Sequence, residues 1–408
     1  MTDIQRTVDA VWRIESARIV ATLAKMTGDV GLAEDLAQEA LVDALTQWPE
    51  AGVPQNAGAW LTAVAKRKAI DGWRRRQRLD ERYRAIAHDL SETTEDEWQP
   101  IDDDIVRLVF TACHPVLSRE SQVALTLRVV AGLTTEQIAR LLLVPVGTVQ
   151  QRIVRAKKTL SAAHVPFEAP DPSEWMSRLS AVLGVVYLVF TEGYAATSGD
   201  RWIRTELANE ALRLGRVLAE LLPREPEVHG LVALMELQAS RFGARVDRDG
   251  APILLTDQDR SRWDRAQIER GRTALRRVDE LGRGRGSYAL QASIAECHAI
   301  APSVDDTDWE RIVVLYEALG RIAPSAVVEL NRAVAVSMAT GPANALLIVD
   351  RLVSEGALPG SHLLPSVRGE LLARLGRTEE ARTELIAAAA LAGNERESGV
   401  LRAKAAAL

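Results

Sequence analysis

Gln151, Arg152, Arg155, Lys157 and Lys158 sit in one short run near the middle of the chain and bring hydrogen-bond donors of two kinds. Glutamine can grip adenine and arginine guanine through paired hydrogen bonds, each discriminating by about 1 to 3 kcal/mol, whereas lysines such as Lys157 and Lys158 suit phosphates. Wound as a helix, the run places Thr148, Gln151, Arg155 and Lys158 on one face, with Arg152 on the flank. Val149, Ile153, Ala156 and Leu160 form a narrow apolar seam opposite. Earlier in the chain, Arg67, Arg74 and Arg78 share one side of a second helix with Trp60, an aromatic-ended basic face that suits a phosphate backbone and stacked bases. Other chemistry has weaker support. The six histidines are dispersed without metal-ligand spacing, so no metal or cofactor is expected. Cys113 and Cys297 stand alone and read as small buried hydrophobes. The GRGRG run at 282–286 lacks the flanking strand and Lys-Ser/Thr of a phosphate loop. A hydrolase built on Asp257, Asp259 and Asp264 is conceivable, but salt bridges within a helix or a packing motif explain them more simply.

The elements that must hold these faces are helical. Ala, Leu and Val fill the apolar class while aromatics make up only 4% of the chain, which favours helices over sheets and gives an all-α expectation. Val11, Ile14, Ile19 and Leu23, then Leu32, Leu36, Ala40 and Leu45, recur at helical spacing, with Gly28 and Asp29 as the break between them. The stretch WPEAGVPQNAG from Trp48 to Gly58 reads as a loop before a long helix that opens at Trp60. His114 and Pro115 interrupt the next helical stretch. In GLTTEQIARLLLVPVGTVQQRIVRAKKTL, Thr134 or Thr135 caps a short helix, Pro145 to Gly147 forms a turn and Thr148 begins a second helix. That is helix-turn-helix spacing, in which the second helix enters the major groove.

Charge divides the chain. The formal net charge is -6, yet Lys66 to Arg84 holds nine basic and three acidic residues, and Asp89 to Asp104 holds eight acids with no Lys or Arg. The acidic strip is too poor in hydrophobics to bury itself and reads as a linker between two modules for polyanions. Residues 1–88, 105–165 and 170–408 are then separate folded parts, with 89–104 as the linker. From about residue 170, Leu-, Ala-, Arg- and Glu-rich segments ending in Pro or Gly-Arg pair as helical hairpins resembling degenerate tetratricopeptide repeats, whose usual work is binding. Leu179 to Phe190 is too short to cross a bilayer and reads as a buried helix; with a charged N-terminus, a cytoplasmic protein without membrane contact is expected. A free-standing helix-turn-helix regulator with a repeat-type sensor, and a scaffold or enzyme with its site in the C-terminal half, are the other readings the residues leave open.

AEDLAQEALVDAL, AWLTAVAKRKAIDGWRRR, the acidic linker and LTTEQIARLLLVPVGTVQQRIVRAKKTL, in this order, resemble regions 2 and 4 of a bacterial RNA polymerase sigma factor of the extracytoplasmic-function (ECF) class. FTACHPVLS, YLVFTEGYA, TDQDRSRWDRAQI, TDWERIVVLYEAL and PSAVVELNRAVAV resemble the branch of that class with a tetratricopeptide-like C-terminal extension. The resemblance implies a non-enzymatic subunit that binds core RNA polymerase and promoter DNA. It places Asp35, Gln38, Glu39 and Asp43 on the clamp helices of the largest polymerase subunit. It assigns Trp48 and Asn56 to capture of an unstacked base of the -10 element, beside Trp60, and has Arg67, Arg74, Arg75 and Arg78 follow the melted strand. Thr148, Gln151, Arg152 and Arg155 would read the -35 element, with Lys157 and Lys158 on its phosphates. The linker would thread toward the RNA exit path. The extension would pack on the two sigma domains or recruit a partner and so modulate activity.

Overall fold

The computed structural model describes residues 3–77, 102–142, 144–168, 170, 173–194, 205–245, 253, 255–392 and 395–408, and every regular element among them is helical. The described residues fall into two units, Met1–Val186 and Tyr187–Leu408.

In the first unit, helices α1 (Asp3–Thr27), α2 (Val30–Ala51) and α3 (Ala57–Gln77) pack on one another. The break at Gly28 and Asp29 is the expected one: Gly28 takes φ +69°, and the Asp29 carboxylate caps α2 by accepting from the Leu32 N–H at 3.0 Å. Ile19, Leu23, Ala33, Ala37, Ala40 and Leu61 are buried between the three helices. The loop expected from Trp48 to Gly58 is shorter. Helix α2 runs through Trp48 and Pro49 to Ala51, and Gly52 at φ +82° ends it. Pro49 lies in the last turn, where it removes one hydrogen bond to the preceding turn without stopping the helix.

Helices α4 (Asp102–Ala112), α5 (Arg119–Val129), α6 (Thr135–Leu142) and α7 (Val146–Ala162) follow, with the break at His114 and Pro115 where expected. Most of the acidic linker lies outside the described residues, but its last three acids, Asp102 to Asp104, open α4. Acids suit a helix N-terminus, and Asp104 also pairs with Lys25 of α1 at 3.3 Å. Helix α7 starts two residues before the expected Thr148, directly after Pro145. Gly147 falls in the first turn, where its backbone freedom costs less than in a helix interior, so it does not break the helix.

Helix α8 (Trp175–Tyr194) crosses the division between the units. Its first half belongs to the first unit, where Trp175 meets Phe110 at 4.9 Å and Arg178 donates to the Phe110 carbonyl at 3.0 Å. As expected from Leu179 to Phe190, the helix is largely buried. None of the described helices is long and apolar enough to cross a membrane.

The second unit continues with α9 (Thr205–Leu221), α10 (Pro226–Ala239), α11 (Arg265–Glu280), α12 (Ser287–Ile300), α13 (Trp309–Ile322), α14 (Ala326–Ala339), α15 (Pro342–Ser354), α16 (Leu363–Arg374), α17 (Thr378–Leu391) and α18 (Glu395–Ala407). Most pack mainly on their neighbours in sequence, and α12 packs chiefly on α10, the pattern of stacked helical hairpins. Gly230 marks the tightest crossing: a Cβ there would lie 2.7 Å from the backbone nitrogen of Ala289, so α10 and α12 touch main chain to main chain.

Candidate nucleic-acid interface

The helix-turn-helix is built from its caps. Thr134 and Gln137 bond reciprocally: the Thr134 hydroxyl accepts from the Gln137 N–H at 3.2 Å, and the Gln137 side chain accepts from the Thr134 N–H at 2.8 Å. This capping box starts α6. The expected seam of α7, Val149, Ile153, Ala156 and Leu160, is buried. On the opposite side Gln151, Arg155 and Lys158 are exposed, while Thr148 and Arg152 are half-buried. Arg152 lies close enough to Glu120 to help hold that carboxyl low, behind the larger effects of its own backbone N–H and the Ser118 hydroxyl.

Lys157 departs from its expected role on phosphates. It is mostly buried between α7 and the N-terminal turns of α2, bonded to Glu34 and, at 2.7 Å, to Asp35. Arg128 of α5 reaches the other Glu34 oxygen at 2.8 Å and also donates to the Leu133 carbonyl. Glu34 is only 3% exposed. Burial by itself would raise its carboxyl, but Arg128 and Lys157 outweigh that and hold it below the usual carboxylate range. Lys157 is raised in turn: burial opposes its charge, and Glu34 and Asp35 overcome the opposition. Gly31 makes room for the contact, since a Cβ there would sit 3.3 Å from the Lys157 Cβ. Glu34 and Arg128 went unnoticed in the sequence. The available signal was an acid at position 34 on the same helical stripe as Val30, Ala33 and Ala37.

The acidic face of α2 is engaged along its length. Asp35, next to the buried Glu34, pairs with Lys157, while Glu39 and Asp43 pair with Lys68 of α3 at 3.5 and 3.0 Å. The bond to Asp43 is the main reason that Lys68 is raised. Gln38 is half-buried between them. Alongside lies a cleft of about 340 Å³ whose lining includes Asp43, Trp60, Arg67 and Lys68. It brings an aromatic ring, a guanidinium and a carboxylate together at the surface.

One expectation for the loop before α3 needs correction and another is narrowed. Trp48 is 1% exposed and meets Trp60 edge-on at 5.4 Å, so it is a packing residue and presents no open ring face for a base. Asn56 is the cap of α3, its side-chain oxygen accepting from the Ala59 N–H at 3.0 Å, which leaves its exposed amide group only as a donor. Arg67 is exposed on α3, as expected. Arg74 and Arg75 lie in α3 with side chains outside the description, and Arg78 lies outside the described residues.

Two of the three aspartates considered for hydrolysis, Asp259 and Asp264, are local caps. Asp259 accepts from the Ser261 N–H and hydroxyl, and Asp264 accepts from the Gln267 N–H at 3.0 Å to start α11. They are neither the salt bridges nor the packing motif expected. Cys113 and Cys297 are free and buried, and burial pushes the Cys113 thiol up to about 11.

A three-helix module followed by a capped helix-turn-helix matches known families in the same order. Residues 13–79 match sigma-70 region 2, residues 107–160 match sigma-70 region 4, and residues 178–279 match a family of unknown function, DUF6596. The chain belongs to the ECF-like sigma factors that carry an additional C-terminal domain. An uncharacterised protein of Rhizobium meliloti is 44% identical over 388 residues, which are 92% of this chain and 89% of that one. A probable ECF RNA polymerase sigma factor of Mycobacterium tuberculosis, SigI, is 30% identical over 164 residues, 39% of this chain and 56% of its own. No solved structure matches.

Proposed function

We propose that the chain acts in the cytoplasm by seating on core RNA polymerase and directing it to promoters through two separate DNA contacts. Helix α7 reads the -35 element in the major groove: Gln151 and Arg155 meet base edges, Thr148 and Arg152 flank them, and Lys158 holds phosphate. The observation that carries this reading is the division of α7 into a buried seam and an exposed Gln151, Arg155 and Lys158 face. Around the α3 cleft, Trp60 and Arg67 engage the melted -10 strand, Asn56 donates to a base edge, and Arg74, Arg75 and Arg78 continue along the phosphates. Asp35, Gln38, Glu39 and Asp43 dock on basic clamp helices of the polymerase. The C-terminal unit modulates this activity.

Run-off transcription with the full chain and purified core polymerase tests the proposal. Transcripts from promoters that core alone ignores are expected, and their absence refutes it. Arg155→Ala is expected to cost about 1 to 3 kcal/mol at one -35 position. An equal loss on all sequences in a binding titration would make Arg155 a phosphate contact instead.

Docking has its own check. Glu39→Gln combined with Asp43→Asn removes one exposed and one half-buried carboxylate without adding repulsion. Core affinity is expected to fall by about 2 to 5 kcal/mol, as when charged partners of an interface are truncated. Unchanged affinity by fluorescence anisotropy would move the docking surface elsewhere.

A further inference from the structure

Regions 2 and 4 lie against each other within the first unit and meet at three places. Lys25 of α1 pairs with Asp104 of α4 at 3.3 Å. Gly132, in the turn between α5 and α6, presses on α1 so closely that a Cβ there would overlap the Ser16 hydroxyl oxygen. The third place is the charge cluster of α2, α5 and α7, in which Glu34 holds Arg128 and shares Lys157 with Asp35. Glu34, Arg128 and Lys157 are all largely buried, so this contact is a packed seam and not a chance surface pairing.

On the function proposed above, this arrangement cannot be the one that holds a promoter. Elements at -10 and -35 lie about 25 base pairs apart, roughly 85 Å along a duplex at 3.4 Å per base pair. The α3 cleft and the α7 reading face sit on helices that both contact α2. At 1.5 Å per residue α2 is only about 33 Å long, so the two faces lie far closer together than the elements they would read. Each side of the cluster also stands in for an external partner. Lys157 gives Asp35 the cation that basic clamp helices would supply, and Glu34 and Asp35 give Lys157 the anions that DNA phosphates would supply. A seam of charges suits release, because the separated groups regain their hydration, which offsets much of the attraction lost.

We infer that the Glu34, Asp35, Arg128 and Lys157 cluster is an autoinhibitory latch, which closes region 4 onto region 2 in the free chain and opens when core polymerase takes Asp35. The inference rests on the proposed role in initiation. Docking and DNA reading are thereby coupled: while Asp35 is held by Lys157, α7 stays beside α2, and its release lets the two regions spread to the spacing of the promoter.

A lock across the contact tests this. A Cβ at Gly31 would lie 3.3 Å from the Lys157 Cβ, near the separation of about 3.5 to 4.5 Å usual in disulfides. Gly31→Cys combined with Lys157→Cys in the full chain is therefore expected to form an internal disulfide, and the natural Cys113 and Cys297 are buried. In run-off transcription with core polymerase, the oxidised variant is expected to be at least tenfold less active than the same variant after dithiothreitol. Equal activity locked and unlocked overturns the latch, as does failure of the folded variant to form the disulfide. Inactivity of the natural sequence would refute the role in initiation, whereas an active natural chain beside an equally active locked variant refutes the latch alone. Should the variant not fold, or not transcribe when reduced, carbodiimide coupling of the natural chain decides. Coupling of Lys157 to Glu34 or Asp35, and of Lys25 to Asp104, is expected in the free chain and is expected to fall at least tenfold in the complex with core polymerase. Coupling absent from the free chain, or undiminished in the complex, overturns the inference.

Discussion

Glu34→Ala is expected to destabilise the first unit by about 3 to 5 kcal/mol, the cost of leaving buried Arg128 without its counter-charge and Lys157 with Asp35 alone. Arg128 and Lys157 are only 14% and 16% exposed, and both direct donors at Glu34. The contribution of the ion pairs themselves is smaller than this figure, because assembling them already required three charges to leave water. Removing the carboxylate alone keeps that desolvation and discards the attraction that compensates for it. Glu34→Gln retains hydrogen-bonding capacity and should lose less. Urea denaturation followed by far-ultraviolet circular dichroism measures both, and a Glu34→Ala loss under about 1 kcal/mol would show that α7 does not depend on this contact.

The same cluster sets a pH window. The folded-state pKa of Glu34 is lowered, so its contribution is present above the ordinary glutamate value of about 4.3 and is lost as pH falls through the lower folded value. Lys157 is raised, so its contribution is complete below about 10.4 and is lost as pH rises through the higher folded value. Between roughly pH 5 and 10 the cluster is intact, and the Glu34→Ala loss should be constant there and shrink in acid. The consequence reaches function. Lys157 lies on the helix proposed to read the -35 element and Asp35 on the one proposed to dock, so one ion pair ties the two surfaces together.

How much of this was legible in the sequence depends on the range of the interactions. The α7 seam was readable because helical periodicity alone fixes which residues share a face, and Val149, Ile153, Ala156 and Leu160 are buried accordingly. The break at Gly28 and Asp29 was readable because a left-handed glycine and a capping aspartate are local devices. Lys157 was not, because its partners are more than a hundred positions away and helical periodicity, which puts Lys158 on the exposed face, does not say what Lys157 meets. Asp259 and Asp264 were misread for the opposite reason. Each bonds to backbone two or three residues on, and spacing suggestive of salt bridges within a helix was read before this capping use was considered.

Trp48 separates packing from recognition most sharply. Trp48→Ala is expected to cost about 3 to 5 kcal/mol of stability, as for other large aromatic residues truncated in a core. Its side chain is among the largest fully buried ones, and its ring supports Trp60 edge-on. Such an aromatic pair adds about 0.5 to 1.5 kcal/mol beyond burial, so Trp60→Ala should also destabilise, though less, since Trp60 is partly exposed. The Trp48 indole N–H is buried without a partner. Trp48→Phe removes that donor and keeps an aromatic ring, so the penalty saved offsets part of the lost volume, and a loss under about 1.5 kcal/mol is expected. A base-stacking residue would behave in the reverse way: Trp48→Ala would leave thermal and urea midpoints unchanged and abolish promoter opening, whereas Trp48→Phe would preserve opening. Measuring both midpoints and permanganate reactivity of the promoter in the polymerase complex distinguishes the two. Loss of opening at full stability would return Trp48 to the DNA and require α2 to end before it.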